Sequence, residues 1–339
     1  MLVVTISAVV LIVAAAALFL NGVVLPWLQE GGLITTGANV SATNTPVVVK
    51  YANVKIYDPT YIAYQLGYFG EENITLQFVG EVISGPQSIA AISAGTAQAG
   101  VAAIPAIINA RYAGANITGV LDIQTAFNDS PLAEWYTLNN SGITDASSLR
   151  GKKMGINSLG ASFYYTSLLY LARHNMTPAD VTFVVVPHPN LEESLRSGQV
   201  DVAGMIDPYT KHAASAGGVR VLFNQYDVTG QNQFTLVILS SKFAAQNPGV
   251  AMRFSAAYIK AVKFIEANPT ESAAIIANWT GLNLTYVQSH RFMPNATVDG
   301  NSIRYWLSAM STYAGSNYTS LNVSGIGTNA YNPYVESAT

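Results

Sequence analysis

The sequence contains no cysteine in 339 residues. That absence removes disulfides, thiolate metal sites and cysteine nucleophiles together, and it fits an exported protein that lives without redox control. Charge is scarce too, at 10% of residues against 50% hydrophobic, and a net charge of −3 gives no basic footprint for nucleic acid. Four histidines, His174, His188, His212 and His290, show neither i, i+4 ligand spacing nor an HExxH helix. No GxSxG elbow and no P-loop is present. Nothing in these patterns marks an enzyme, a cofactor or a metal.

Charge is missing most completely at the start of the chain, where the first charged residue is Glu30 and the first basic one Lys50. The uncharged run Leu2–Leu20, helical at 1.5 Å per residue, spans roughly 30 Å, the thickness of a bilayer core. A cleaved signal peptide carries basic residues before a shorter apolar stretch. Residues 1–28 therefore read as an uncleaved membrane anchor, or as a pilin-like assembly helix exposed when a basic leader is removed. The run Ala14–Ala17 permits close helix approach and hence self-association. Residues 29–46, rich in Gly, Thr, Ser and Asn, read as a flexible stalk.

What is present in excess is the triplet N-x-S/T. Composition predicts about four, and eleven occur, at Asn39, Asn73, Asn116, Asn128, Asn139, Asn175, Asn278, Asn283, Asn295, Asn317 and Asn322. The excess is that of a glycosylated surface, which puts the body outside the cell.

Beyond the stalk, short β-branched runs alternate with amphipathic stretches, the pattern of a parallel, doubly wound α/β sheet. Strands are expected at Val47–Ile56, Ile74–Val79, Ala99–Ala102 and Ile117–Thr125, with helices at Tyr61–Phe69, Pro86–Ala94 and from Pro105. The pattern restarts at Met154–Ile156 and runs through Val181–Val186, Val200–Met205 and Val219–Phe223. After the apolar strand Phe234–Leu239 the chain turns helical, over Pro248–Ala267, Thr270–Ala277 and about Asp299–Ala314. The polar tail from Gly315 is expected to be irregular.

Several segments, in order, resemble the solute-binding proteins of the nitrate/sulfonate/taurine class of ABC importers. Gly67-Tyr68-Phe69 followed by Glu72-Asn73-Ile74 resembles the family's opening motif. Gly95 through Gly100-Val101-Ala102 resembles its Gly-rich strand, with Gln98 near the usual Asp. Leu149-Arg150-Gly151-Lys152-Lys153-Met154-Gly155 resembles its "LKGKKIG", with Ser148 in place of the preceding Asp. Gly198-Gln199-Val200-Asp201 and the pair Asp207-Pro208 match later motifs. The resemblance covers about Val47 to Leu282 and implies the type II periplasmic-binding fold. One lobe is then 47–134 plus 235–339 and the other 135–234, with crossings near Glu134–Leu138 and Gln233–Val237. It further implies a small-molecule solute held between the lobes and an ABC permease as partner. One eukaryotic branch of the fold makes the thiamine pyrimidine with a cysteine-rich iron motif, which this chain lacks.

Open α/β sheets bind at the carboxyl ends of their strands. That rule selects Tyr57-Asp58-Pro59, Gly85 and Ser88, Ala103-Ile104, the loop Asn157-Ser158-Leu159-Gly160-Ala161-Ser162, and Asp207-Pro208-Tyr209. The Asn157–Ser162 loop carries the strongest chemistry, because its free N–H groups before a helix suit an oxyanion, with Ser158 and Ser162 as hydroxyl donors or helix caps. Tyr57, Tyr61 and Tyr209 are candidates for an aromatic clamp and equally for ordinary packing. Asp58 and Asp207 fit helix capping better than contact with an amine. No Lys or Arg falls in these loops; Arg111 and Lys211 sit on helices. A sulfonate on N–H groups, or a heterocycle on tyrosines, fits better than nitrate, and the two aspartates leave room for a zwitterion.

Overall fold

The computed structural model describes residues 45–314 and 316–335. The expected anchor or assembly helix, all of the stalk before residue 45, and the sequon at Asn39 lie outside them. Among the described residues no helix is long and apolar enough to cross a membrane.

Among the described residues ten strands form two five-stranded sheets. The first contains β1 (Val47–Asn53), β2 (Ile74–Glu81), β3 (Ala99–Ala103), β4 (Ile117–Ala126) and the late strand β10 (Asn232–Ser240), in the order β2-β1-β3-β10-β4. The second contains β5 (Ala133–Leu138), β6 (Lys153–Ile156), β7 (Thr182–Val185), β8 (Val202–Ile206) and β9 (Val219–Asn224), in the order β7-β6-β8-β5-β9. The orders correspond: in each sheet three strands run parallel, and the strand beside them runs antiparallel. The sheets are thus mixed, not wholly parallel as the alternation suggested, because the chain enters each one from the other.

Those entries differ in place from the expected crossings. Glu134–Leu138 lies inside β5 and Gln233–Val237 inside β10, each paired to neighbours on both sides; the chain passes between sheets just before each, at residues 127–132 and 230–231. Apolar runs gave β10 away as a strand, but residues 133–138 alternate polar and apolar too briefly to separate strand from linker.

Local chemistry sets the element ends. In helix α1 (Pro59–Gln65), Pro59 sits in the first turn and the Asp58 carboxylate accepts the Thr60 N–H at 2.8 Å. Gly67, at φ +75°, then turns the chain, so the helix expected over Tyr61–Phe69 is two, α1 and α2 (Tyr68–Glu71). β4 and β10 are buried on both faces, which is why Phe234–Leu239 of β10 reads as one apolar run, although β4 also buries Asp122 and Gln124. Helix α3 (Gly85–Ser93) packs on β3 through Ser88, whose hydroxyl accepts the Val101 N–H at 3.0 Å and lies 3.4 Å from the Ala52 carbonyl. Helix α4 (Ile104–Tyr112) follows β3 directly, and α5 (Ser162–Arg173) follows β6. Short helices α6 (Leu191–Arg196), α7 (Tyr209–Ala216) and α8 (Gln225–Thr229) complete the second lobe.

After β10, helices α9 (Ser241–Gln246), α10 (Pro248–Ala267), α11 (Pro269–Thr280) and α12 (Gly300–Ala314) cover the first sheet. The tail is more ordered than its polarity suggests. It makes a helical turn, α13 (Val323–Ile326), and Gly327 pairs with Gly119 of β4, the Thr328 N–H donating to the Gly119 carbonyl at 2.9 Å. A buried node holds this side together. Asp122 accepts Met293 N–H and Gln233 Nε2 at 3.0 Å each and Thr125 Oγ1 at 2.8 Å, and burial pushes its carboxyl up to about 7.

A Cβ on Gly100 would lie 2.1 Å from Ser88 Oγ and 3.0 Å from the Ala52 carbonyl oxygen. Gly100→Ala is therefore expected to destabilise the fold by about 2 kcal/mol or more, read as a lower urea midpoint at unchanged m-value.

Candidate functional site

The carboxyl ends of the parallel strands in both sheets face one cleft. It is lined from the first lobe by Val54, Ile56, Gly85, the Val101–Ala103 segment, Gln124, Phe234 and Thr235. The second lobe contributes Asn157, Ala161, Ser162, Phe163 and His188. Its free volume is about 40 Å³, so it is a narrow slot between closely apposed lobes.

Three helices begin at this slot. α3 starts at Gly85, α4 follows Ala103 and α5 follows Ala161, and none has a side chain capping its first N–H groups. Pro86 and Pro105 sit in the first turns of α3 and α4, fixing φ but giving no N–H. The positive ends of three helix dipoles therefore meet where no side chain neutralises them. Close approach is built in: a Cβ on Gly85 would lie 3.0 Å from Ala102 Cα. None of the lining residues is Asp, Glu, Lys or Arg.

Side chains supply the second half of the site. Gln124 Nε2, Asn157 Oδ1 and His188 Nδ1 are buried and have no hydrogen-bond partner, and all three residues line the slot. Burying such groups unpaired costs about 1–3 kcal/mol each, so a concentration of them at one place calls for a partner that the protein itself does not supply. His188 is pushed down to about 4 by burial and is neutral at ordinary pH. Ser162 donates instead across the cleft, Oγ to the Phe234 carbonyl at 3.3 Å.

Gly85, Ala103, Asn157, Ala161 and Ser162, selected from the sequence, meet in this slot. The others lie elsewhere. Tyr57 is buried in the first lobe, its hydroxyl donating to Ser272 Oγ at 2.8 Å and its ring edge-on to His290. Asp58 caps α1 and accepts the Tyr51 hydroxyl at 2.8 Å; burial raises its carboxyl to about 6. Tyr61 stacks on Trp279 with centroids 4.1 Å apart. Ser88 ties α3 to the sheet, and Ser158 Oγ bonds the neighbouring Leu159 carbonyl at 3.1 Å. Asp207 takes the Thr210 hydroxyl and borders a separate polar groove of about 300 Å³ with Glu134, Lys211 and Arg291.

Gly160 and Tyr209 act as latches between the lobes. Asn109 of α4 donates Nδ2 to the Gly160 carbonyl at 2.8 Å while its Oδ1 accepts the Tyr318 hydroxyl at 2.7 Å. Tyr209 donates to the Lys55 carbonyl at 3.3 Å, and its ring lies parallel to that of His188.

Sequence reasoning missed Gln124, Phe234 and Thr235, which sit in strands that read as uniform core. It also missed His188, although the loop after β7 falls under the same strand-end rule that selected the others.

Two α/β lobes of matching strand order, joined by two crossings with a cleft at their strand ends, define the type II periplasmic-binding fold. Over residues 57–272 the chain matches the family model described as NMT1/THI5 like, and it belongs to that family. It is 25% identical over 211 residues to the putative aliphatic sulfonates-binding protein of Escherichia coli (strain K12), covering 62% of this chain and 64% of that relative. The chain thus spans just under two-thirds of that relative's length. Among solved structures, the alkanesulfonate-binding protein from Xanthomonas axonopodis pv. citri, bound to MOPS, superposes with a TM-score of 0.68 at 19% identity. That match covers 80% of this chain and 93% of the other. The periplasmic nitrate-binding protein from Synechocystis PCC 6803 gives 0.72 at 12% identity, covering 84% and 87%. At these identities the two superpositions establish the fold alone.

Two measurements test the site. The folded-state value of His188 lies below the unfolded value near 6.5, so between those values only the unfolded chain takes up the proton. Its contribution is present above pH 6.5 and is lost as the pH falls toward 4. The melting temperature of His188→Gln should consequently drop less than that of the parent between pH 7 and pH 5; parallel drops would refute a buried neutral imidazole. Asn109→Ala removes the latch bond to Gly160, worth about 1 kcal/mol, and is expected to raise the radius of gyration seen by X-ray scattering as the lobes part.

Proposed function

We propose that this chain captures a small organic or oxyanionic solute in the inter-lobe slot and delivers it to an ABC permease. The observation that carries the reading is the meeting, in one uncharged slot, of three uncapped helix N-termini with three unpartnered buried polar groups. The helix ends suit a negatively charged group, and the amides of Gln124 and Asn157 offer a donor and an acceptor for its remainder. A sulfonate-like head on a short organic body matches that arrangement, in keeping with the names of the curated relative and the MOPS-bound structure. The slot pairs no nucleophile with a base: Ser162 Oγ is spent on the Phe234 carbonyl, which speaks for capture over catalysis.

Residues 2–20 tether the body to the outer face of the membrane in this reading, their uncharged length being that of a bilayer core. The alanine run Ala14–Ala17 also suits packing against a second copy, so a cell-surface array built through that helix is compatible with capture by the body.

A thermal-shift screen of the full-length protein against taurine, alkanesulfonates, nitrate, bicarbonate, pyrimidines and riboflavin tests the proposal. At a hundredfold excess over its dissociation constant a ligand stabilises by about 2.7 kcal/mol, on the order of 5 °C. Gln124→Leu removes an unpartnered amide at nearly constant shape. It is expected to melt at or above the parent temperature while losing the ligand-induced shift. If no compound shifts the parent, or Gln124→Leu keeps the full shift, the slot is not the binding site.

A further inference from the structure

Asparagine in this chain falls into two populations that differ in burial. Ten of the eleven N-x-S/T asparagines lie among the described residues; nine are exposed and Asn73 is half-buried. Twelve other asparagines are described, and of these only Asn140, Asn190, Asn268 and Asn301 are exposed, while Asn53, Asn157, Asn232 and Asn332 are buried. Burial thus separates one residue type according to the residue two positions downstream. Polarity does not produce that split, since side chain and backbone are chemically the same in both groups. An acceptor site for a bulky hydrophilic modification does produce it, because the modified amide nitrogen must project into solvent.

We infer that the exposed sequon asparagines are N-glycosylation sites. Two local features support the assignment. The sequons sit at element ends and turns, where a transferase reaches the amide: Asn139 follows β5, Asn175 follows α5 at φ +55°, and Asn317 and Asn322 flank the short turn at Tyr318–Ser320. None of the slot-lining residues belongs to a sequon, Asn157 being followed by Ser158 and Leu159, so sugar leaves the slot open. The described asparagine that comes nearest to an exception, Asn73, is half-buried in the turn before β2 at φ +53°. The inference is independent of what the slot binds.

The test uses the full-length protein purified from membranes of the organism that makes it, digested and read by glycopeptide mass spectrometry. Sugar-sized mass additions are expected on peptides carrying the nine exposed sequon asparagines, and none on peptides carrying Asn140, Asn190, Asn268 or Asn301 without a sequon. Asn278→Gln should abolish the addition on its own peptide and leave the melting temperature within about 1 °C, since the position is exposed and helical and glutamine fits a helix at least as well as asparagine. Unmodified masses at all nine sites would overturn the assignment. So would additions spread equally over sequon and control asparagines, which would mark non-enzymatic chemistry.

Discussion

The structure depends on one act of strand insertion. β10 returns from the second lobe and enters the first sheet antiparallel between β3 and β4, and the corresponding strand β5 enters the second sheet beside β8. The return of β10 completes a sheet whose other four strands precede the second lobe, so the first lobe's core closes only once the second lobe's chain is in place, whereas the second sheet is built from the contiguous run β5–β9. The ladders are long and buried on both faces, and Gln233 clinches the first: its amide spans Asp122 and the Thr297 carbonyl, and its carbonyl takes the Trp306 N–H at 2.8 Å. Because both crossings enter at the carboxyl ends of the parallel strands, those strand ends and the helix N-termini behind them are brought face to face. The slot is the geometric result.

Much of this architecture was legible in the chain. Strand and helix positions followed from β-branched runs and proline punctuation, and family-like segments such as Leu149–Gly155 indicated the fold. Residues 133–138 were not legible as a strand, because a six-residue segment with Glu, Trp, Tyr and Thr carries too little period to reveal which sheet it joins. The mixed sheet direction was hidden for the same reason, since direction is a property of pairing and not of the strand.

The slot was legible only in part. The strand-end rule found Gly85, Ala103, Asn157 and Ser162 because each lies where a parallel strand passes into the helix that follows it. Tyr57 and Tyr61 obey the same rule yet turn inward, drawn by Ser272 and Trp279 from a helix far away in sequence, while Asp58 is taken by Tyr51 of the strand before it. Gln124 is the opposite case. It stands in a strand whose ten residues are all buried, and nothing local separates a core glutamine with a partner from one without. Only the assembled fold shows that its amide nitrogen is left unanswered.

The slot contains no ionised side chain, and that has a consequence for the conditions in which it works. Attraction between mobile charges fades as salt is added, with a screening length of about 8 Å at physiological ionic strength and 3 Å at 1 M. Backbone dipoles fixed in a narrow, water-poor gap are shielded from those counterions by the lobes themselves. If the slot captures a solute as proposed, a receptor built this way gives up long-range steering and gains a grip that hardly changes from fresh water to brine.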